Sequence, residues 1–345
     1  MLRTNADKLV KISVVGEVAS PVIGKSVYRV SPTGTPTILP GVGGITYNLR
    51  VGDLACGWEA DHVEPCVSVE NKENDPRYGQ GANAAFNVLS CIGNQATVVT
   101  GDAKGSKGVV TGKHGGIEHV LVDFQPEVLE KLMLGDKILV KAFGLGLKLT
   151  DFADVKVMNM DPCFLEVLDP KPNSEKLEVP VTHLIPAAIM GSGLGASQTH
   201  SGDYDIQLFD ENVREQYGLD DLRLGDLVAI IDADHSFGRI YRQGAISVGI
   251  VVHTNCVTAG HGPGVTSLML LRITTCGCFR PLPLRQPLLS VMPVFLSLAS
   301  AGRLRWPCLT MWPAPYLPPC NSTKFSLVLW SRSNLLSMSR PARSC

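Results

Sequence analysis

Acidic residues stop early in this chain: none follows Asp234. From Leu270 to Cys345 one lysine (Lys324) and eight arginines stand unopposed. The formal net charge of −1 therefore sums a basic end and an acidic body. An acidic body excludes non-specific nucleic-acid binding, which needs surplus Lys and Arg to displace phosphate counterions. Leu2–Val10 contains Arg3, Asp7 and Lys8 and lacks the apolar run of a secretory signal, so a cytoplasmic protein is expected. The most apolar piece of the basic end, Pro287–Gly302, is shorter than the roughly 20 residues that span a bilayer and carries Pro293, so no membrane partner is expected. CxxC spacing is absent from the body, where Cys56, Cys66, Cys91, Cys163 and Cys256 are scattered as reduced thiols would be. Neither HExxH nor HxH occurs, and no GxSxG elbow sits between a strand and a helix, which argues against a serine hydrolase. Gly24-Lys25-Ser26 is not a phosphate loop, because Ala19 stands where the earlier glycine belongs and Pro21 breaks the turn.

What is present reads as mostly β or α+β: two β-barrel-like halves with a few short helices. At 345 residues there is room for two domains. The expected boundaries are 1–160 for an N-terminal β-rich domain and 161–269 for a C-terminal one, with Pro162–Pro180 as an exposed connection. Residues 270–345 lose every regular period and are expected to be a non-native or frame-shifted tail that packs poorly and adds nothing to a site. A basic, membrane-anchored tail is the alternative. Three phrases support the barrel reading: Arg50-Val51-Gly52-Asp53, Met133-Leu134-Gly135-Asp136 and Arg223-Leu224-Gly225-Asp226. A Gly-Asp turn that delivers the chain into a strand is common in small barrels. Arg77–Ile92 is the clearest helix, with Ala84, Ala85, Val88, Leu89 and Ile92 on one face and Gly93-Asn94 as its stop.

The organising stretch is Thr97–Phe124, TVVTGDAKGSKGVVTGKHGGIEHVLVDF. Glycine lets backbone approach a ligand, and exposed N–H groups beside lysines attract anions. Lys104, Lys107, Lys113 and His114 are therefore the expected binding residues for a small carboxylate or phosphate; two solvated hairpin turns are the plainer reading.

Chemistry-bearing residues gather at strand ends in three places. Asp61, His62 and Glu64 form the first, Asp234 and His235 (with Asp232) the second, and His253 with His261 the third. Imidazole and carboxylate together suit Zn, Fe or Mn ligation and also general acid–base work. The expected catalytic set is Asp61, His62, Glu64, Asp234 and His235, and the expected metal ligands are His62, Glu64, His235 and His261. Structural hydrogen bonding is the competing account for each pair. Cys66 reads as a buried thiol rather than a nucleophile, and Gly191-Ser192-Gly193-Leu194-Gly195 as a structural turn rather than a dinucleotide loop.

GDAKGSKGVVTGKHGGIEHVLVDF, the preceding SCIGNQATVV, the DHVEP segment and the closing GAISVGIVVHTNCVTAGHGPGVT together resemble domain of unknown function 4438 over about residues 10–267. The resemblance implies a β-rich, two-part, oligomeric cytosolic protein and brings no established activity. The chain departs from the family at Cys66 and beyond about Ser267. A looser fold-level analogy, through the Gly-Asp turns and the Gly244-Ala245…Gly249 strand, is to the metal-using acetamidases and formamidases. The expected function is a metal-dependent, hydrolase-like enzyme acting on a small anionic molecule. The alternative is a non-catalytic metabolite-binding or homo-oligomeric assembly protein.

Overall fold

The computed structural model describes residues 2–24, 26–191, 199–272 and 276–281. Expectations for the tail and for the glycine turn after Met190 lie outside the described residues, apart from Leu270–Arg272 and the strand Cys276–Pro281. Among the described residues the fold is mostly β with four α-helices.

The first half closes a six-stranded barrel from β1 (Ile12–Val18), β2 (Val67–Glu70), β3 (Gln95–Val98), β4 (Lys107–His114), β5 (His119–Asp123) and β6 (Lys137–Ala142). Their order around the barrel is β1-β2-β5-β4-β3-β6, and β6 returns to β1. In β6 Ile138, Val140 and Ala142 are buried and alternate with less buried residues, as a strand with one wet face requires. Strands β4 and β5 are instead buried almost end to end, because the second half covers their outer face. Gly112 fits that seam: a Cβ there would lie 2.7 Å from Val252.

The second half carries a sheet from β7 (His183–Pro186), β8 (Tyr204–Asp205), β9 (Leu227–Asp234), β10 (Ile240–Val251) and β11 (Gly264–Arg272). Its order is β7-β9-β10-β11-β8, and the short strand Lys156–Val157 also pairs with β11. Barrel closure therefore belongs to the first half, and the second presents a sheet to it. The Lys113 amide donates to Thr266 Oγ1 (3.2 Å), whose hydroxyl returns a bond to the Lys113 carbonyl (3.1 Å).

The three Gly-Asp phrases form one turn used three times. Gly52, Gly135 and Gly225 all have positive φ (108°, 85° and 86°). Each following aspartate accepts from the amide three residues earlier: Arg50 to Asp53 (2.7 Å), Met133 to Asp136 (2.9 Å) and Arg223 to Asp226 (2.8 Å). Two of them lead into β6 and β9. The first does not enter a strand; it docks on the third, with Leu54 bridged to Arg223.

Two expectations need correction. Helix α1 spans Gly81–Leu89, and its inward face is Asn83, Phe86 and Asn87, with Ala84 and Ala85 exposed. The polar face turns inward because Asn83 and Asn87 Nδ2 donate to the Glu118 carbonyl at 3.1 and 2.9 Å. The segment after Pro162 is an exposed connection only in part, at residues 171–176. After α2 (Pro126–Leu129), helix α3 (Pro162–Leu168) buries Phe164, Leu165 and Leu168. Asp161 caps its start by accepting from the Cys163 amide (2.6 Å), with Pro162 at the first helical position. A strand pair, Lys171–Asn173 with Lys176–Val181, follows, and α4 is Glu211–Tyr217.

Gly135 offers a clean test of the turn, since nothing lies within 4 Å of a Cβ built there. Gly135→Ala should cost about 1–2 kcal/mol from backbone strain alone, read by chemical denaturation, and Gly135→Asn should cost less. Equal stability of all three proteins would refute the requirement for positive φ.

Candidate metal centre

The DHVEP segment enters β2 with His62 in a left-handed conformation (φ 55°), which is costly for a residue with a Cβ. Pairing with the second half holds it there. The His62 amide donates to the Asn255 carbonyl (3.1 Å), the Val63 amide to Thr254 Oγ1 (2.8 Å), and the Thr254 amide to the Val63 carbonyl (3.1 Å). His62 and Glu64 thus reach one place although the segment is not extended.

Glu64 is 1% exposed. One oxygen meets His114 Nδ1 at 2.6 Å; the other accepts from the Gly43 amide (2.7 Å) and from Ser68 Oγ. His119 Nδ1 lies 2.9–3.0 Å from both. His114 and His119 are cross-strand partners on β4 and β5, so one carboxylate grips the tip of that hairpin. Burial alone would raise the Glu64 carboxyl, but the charges and hydrogen bonds of His119 and His114 hold it well below the usual range.

The second half contributes Asp203, Asp205, His253, Cys256 and His261. Asp203 Oδ1 accepts from the Gly115 amide (2.8 Å), and its Oδ2 lies 2.7 Å from His253 Nε2. His253 Nδ1 faces the Thr254 carbonyl at 2.9 Å. Asp205 reaches His261 Nδ1 at 2.9 Å and His62 Nε2 at 3.6 Å. The rings of His114 and His253 are 4.2 Å apart, and those of His62 and His253 5.2 Å. Gly264 makes room, since a Cβ there would overlap Asp203 Oδ2 and His253 Nε2.

Two sets of three donors converge: His114, Asp203 and His253, and beside them His62, Cys256 and His261. In each set the ligand atoms lie within 4.8 Å of one another. The first set is buried, whereas the side chains of His62 and His261 are 15% and 25% exposed and form its outer edge. Burial would lower His62, yet Asp205, Asp61 and Cys256 raise it to about 12. His253 is likewise raised, burial being outweighed by Asp203 and Asp205.

The structure brings Asp61, His62, Glu64, His114 and His261 together and leaves the other expected residues elsewhere. Asp234 pairs with Arg242 (2.6 Å), and His235 packs its ring on Tyr204 with Nδ1 3.2 Å from Ser267 Oγ. Tyr204 lies between Asp203 and Asp205 in sequence, so strand alternation turns it, and His235 with it, away from the cluster. Lys104 is exposed on the β3–β4 connection and Lys107 at the start of β4, where its Nζ donates to Thr97 Oγ1 (2.8 Å). Lys113 is fully buried. Its amine meets Asn159 Oδ1 (2.9 Å), the His200 carbonyl (2.6 Å) and the Val88 carbonyl (3.5 Å), so all three donors are committed and none is left for an anion. Cys66 is buried against Asp123, and burial followed by that charge pushes its thiol well up, which excludes a ready nucleophile. Sequence reasoning missed His119, Asp203, Asp205 and Cys256; the Asp-x-Asp spacing at 203 and 205 was the one available signal.

Burial, aided by Arg239, draws His235 down to about 4. The unfolded chain takes up that proton near pH 6.5 while the folded one refuses it. Stability should therefore fall as pH drops from about 6.5 to about 4, with His235 contributing about 3 kcal/mol. His235→Gln should flatten that part of the curve in urea titrations at stepped pH. An unchanged slope would contradict the assignment.

A model of Domain of unknown function (DUF4438), N-terminal, matches residues 28–166, and its C-terminal counterpart matches residues 168–278. The crystal structure of TM1086 is 51% identical and superposes with a TM-score of 0.77, covering 84% of this chain and 98% of that one. No curated protein matches. With both family segments matched in order, and with the barrel, the sheet and the histidine–carboxylate cluster between them described, the chain belongs to the DUF4438 family.

Proposed function

We propose that this protein holds a divalent transition-metal ion (zinc, iron or manganese) through His114, Asp203 and His253, and uses it to hydrolyse a small anionic substrate. One observation carries the reading. His253 Nδ1 faces a backbone carbonyl and so bears a proton. Nε2 of the neutral ring is then a lone pair 2.7 Å from the Asp203 carboxylate. Two electron-rich atoms at that distance need a cation between them, a proton or a metal ion. His114 supports the same account: Glu64 occupies its Nδ1 and leaves Nε2 for the cluster. A carboxylate or carbonyl behind each imidazole is the outer arrangement that fixes metal-binding histidines.

Two histidines and a carboxylate are a ligand set of hydrolytic zinc sites and of iron sites. When bound, such an ion supplies a Lewis acid that brings the pKa of its water from 15.7 to about 7. The chain's own residues fix the geometry. Glu64 and the Thr254 carbonyl set the two ring tautomers, the Gly115 amide orients Asp203, and the partly exposed His62–His261 edge admits the substrate. The ion's charge would anchor the anion, since the amine of Lys113 is already used. The second reading, a non-catalytic binding protein, draws support from the complete burial of His253, as in closed structural sites.

Full-length protein purified without chelator should carry zinc, iron or manganese. Gly264→Ala should lose it, and Glu64→Gln should bind it about 10–100-fold more weakly, each variant being checked for folding by circular dichroism. Chelator-sensitive turnover of small carboxylate-bearing amides or esters should accompany the metal. Metal-free, inactive protein that gains no ion on reconstitution would overturn the proposal. Bound metal with no turnover across such a panel would favour the non-catalytic reading.

A further inference from the structure

We infer that the centre is dinuclear: a second divalent ion binds His62, Cys256 and His261, and Asp205 bridges it to the first. The inference rests on the reading of His114, Asp203 and His253 as the first site and extends it.

Three observations carry it. The first is spacing. His62 Nε2 and His261 Nδ1 are 3.3 Å apart, and both face Asp205 Oδ2, at 3.6 and 2.9 Å. Zn–N bonds of 2.0–2.1 Å in tetrahedral geometry separate neighbouring ligand atoms by about 3.3 Å. The imidazole pair already stands at that separation.

The second is what lies behind two of the three donors. His62 Nδ1 faces Asp61 Oδ1 at 3.4 Å, and Asp61 is in turn held by Arg29 Nε (3.0 Å) and the Val257 amide (3.2 Å). This repeats the Glu64–His114 arrangement of the first site, a carboxylate set behind a ring whose other nitrogen points inward. Cys256 Sγ accepts the Thr258 amide at 3.1 Å. Burial raises the free thiol despite that amide, so the thiolate that ligates would form as a metal ion displaces the proton.

The third is the position of Asp205. Its two oxygens face different sets: Oδ1 is 3.8 Å from His253 Nε2, and Oδ2 is against His261 and His62. A carboxylate split between two donor groups is placed to bridge ions about 3.5–4 Å apart, the spacing of two-metal hydrolytic sites. The thiolate strengthens at the second site the preference for zinc or iron over magnesium and calcium that imidazole ligands already give the first.

Titration of metal-stripped, full-length protein with cobalt(II) tests this. Two equivalents should bind, and the spectrum should show a thiolate-to-cobalt charge-transfer band. Cys256→Ser should abolish that band, and His261→Ala should bind one equivalent in place of two. Both variants should retain an ion that Gly264→Ala cannot hold. Saturation of the wild type at one equivalent without the thiolate band would overturn the dinuclear centre and leave the first site standing. No binding at all would overturn both, with circular dichroism confirming that the stripped protein is folded.

Discussion

A carboxylate with almost no access to water governs this structure. Removing Glu64 from solvent would cost several kcal/mol if it stood alone. It is tolerable because His114, His119, Ser68 and the Gly43 amide all turn toward it. Those partners come from three separated stretches of chain, so the carboxylate also decides where the stretches meet. It ties the entry to β2 to the hairpin tip of β4 and β5. Helix α1 secures the same tip from behind, through Asn83 and Asn87 on the Glu118 carbonyl. The hairpin is thereby held firmly enough to present one ring nitrogen of His114 outward.

The seam between the halves is polar as well as apolar. Lys113 extends from the barrel to the His200 carbonyl, and Asn159 donates to the carbonyls of Thr199 and Ser267. Gly115 and Gly202 bring two backbones so close that a Cβ on either would lie within 3.1 Å of the other. The donor cluster sits along this line, where the tip of the β4–β5 hairpin meets Asp203 through the Gly115 amide.

Much of the architecture was legible from local rules. The Gly-Asp phrases declare a turn whose glycine takes positive φ and whose aspartate closes it, and all three do so. The Asp61–Glu64, His253 and His261 segments were recognisable as chemistry near strand ends, and His114 as a binding residue on the glycine-rich stretch. Asp234 and His235 misled because β9 is irregular. Asp232 adopts φ 60° and the pairing with β10 shifts register between Ile231 and Ala233. Asp232 then accepts from the Gly244 amide while Asp234 takes Arg242. A lysine amid glycines suggested an anion site, but Gly108 and Gly112 are strand residues kept small by close packing, not turn residues. His119 was hidden because a histidine within an apolar strand looks like any other core position until its partner strand is known.

The donor sets divide between the halves: His62 and His114 come from the first, and Asp203, Asp205, His253, Cys256 and His261 from the second. Neither half owns a whole coordination sphere. Any cation seated there would act as a rivet as well as a reagent, because its affinity counts toward cohesion of the joint. Every tenfold of that affinity adds about 1.4 kcal/mol of adhesion between barrel and sheet. Occupancy and mechanical integrity become one quantity in such a molecule.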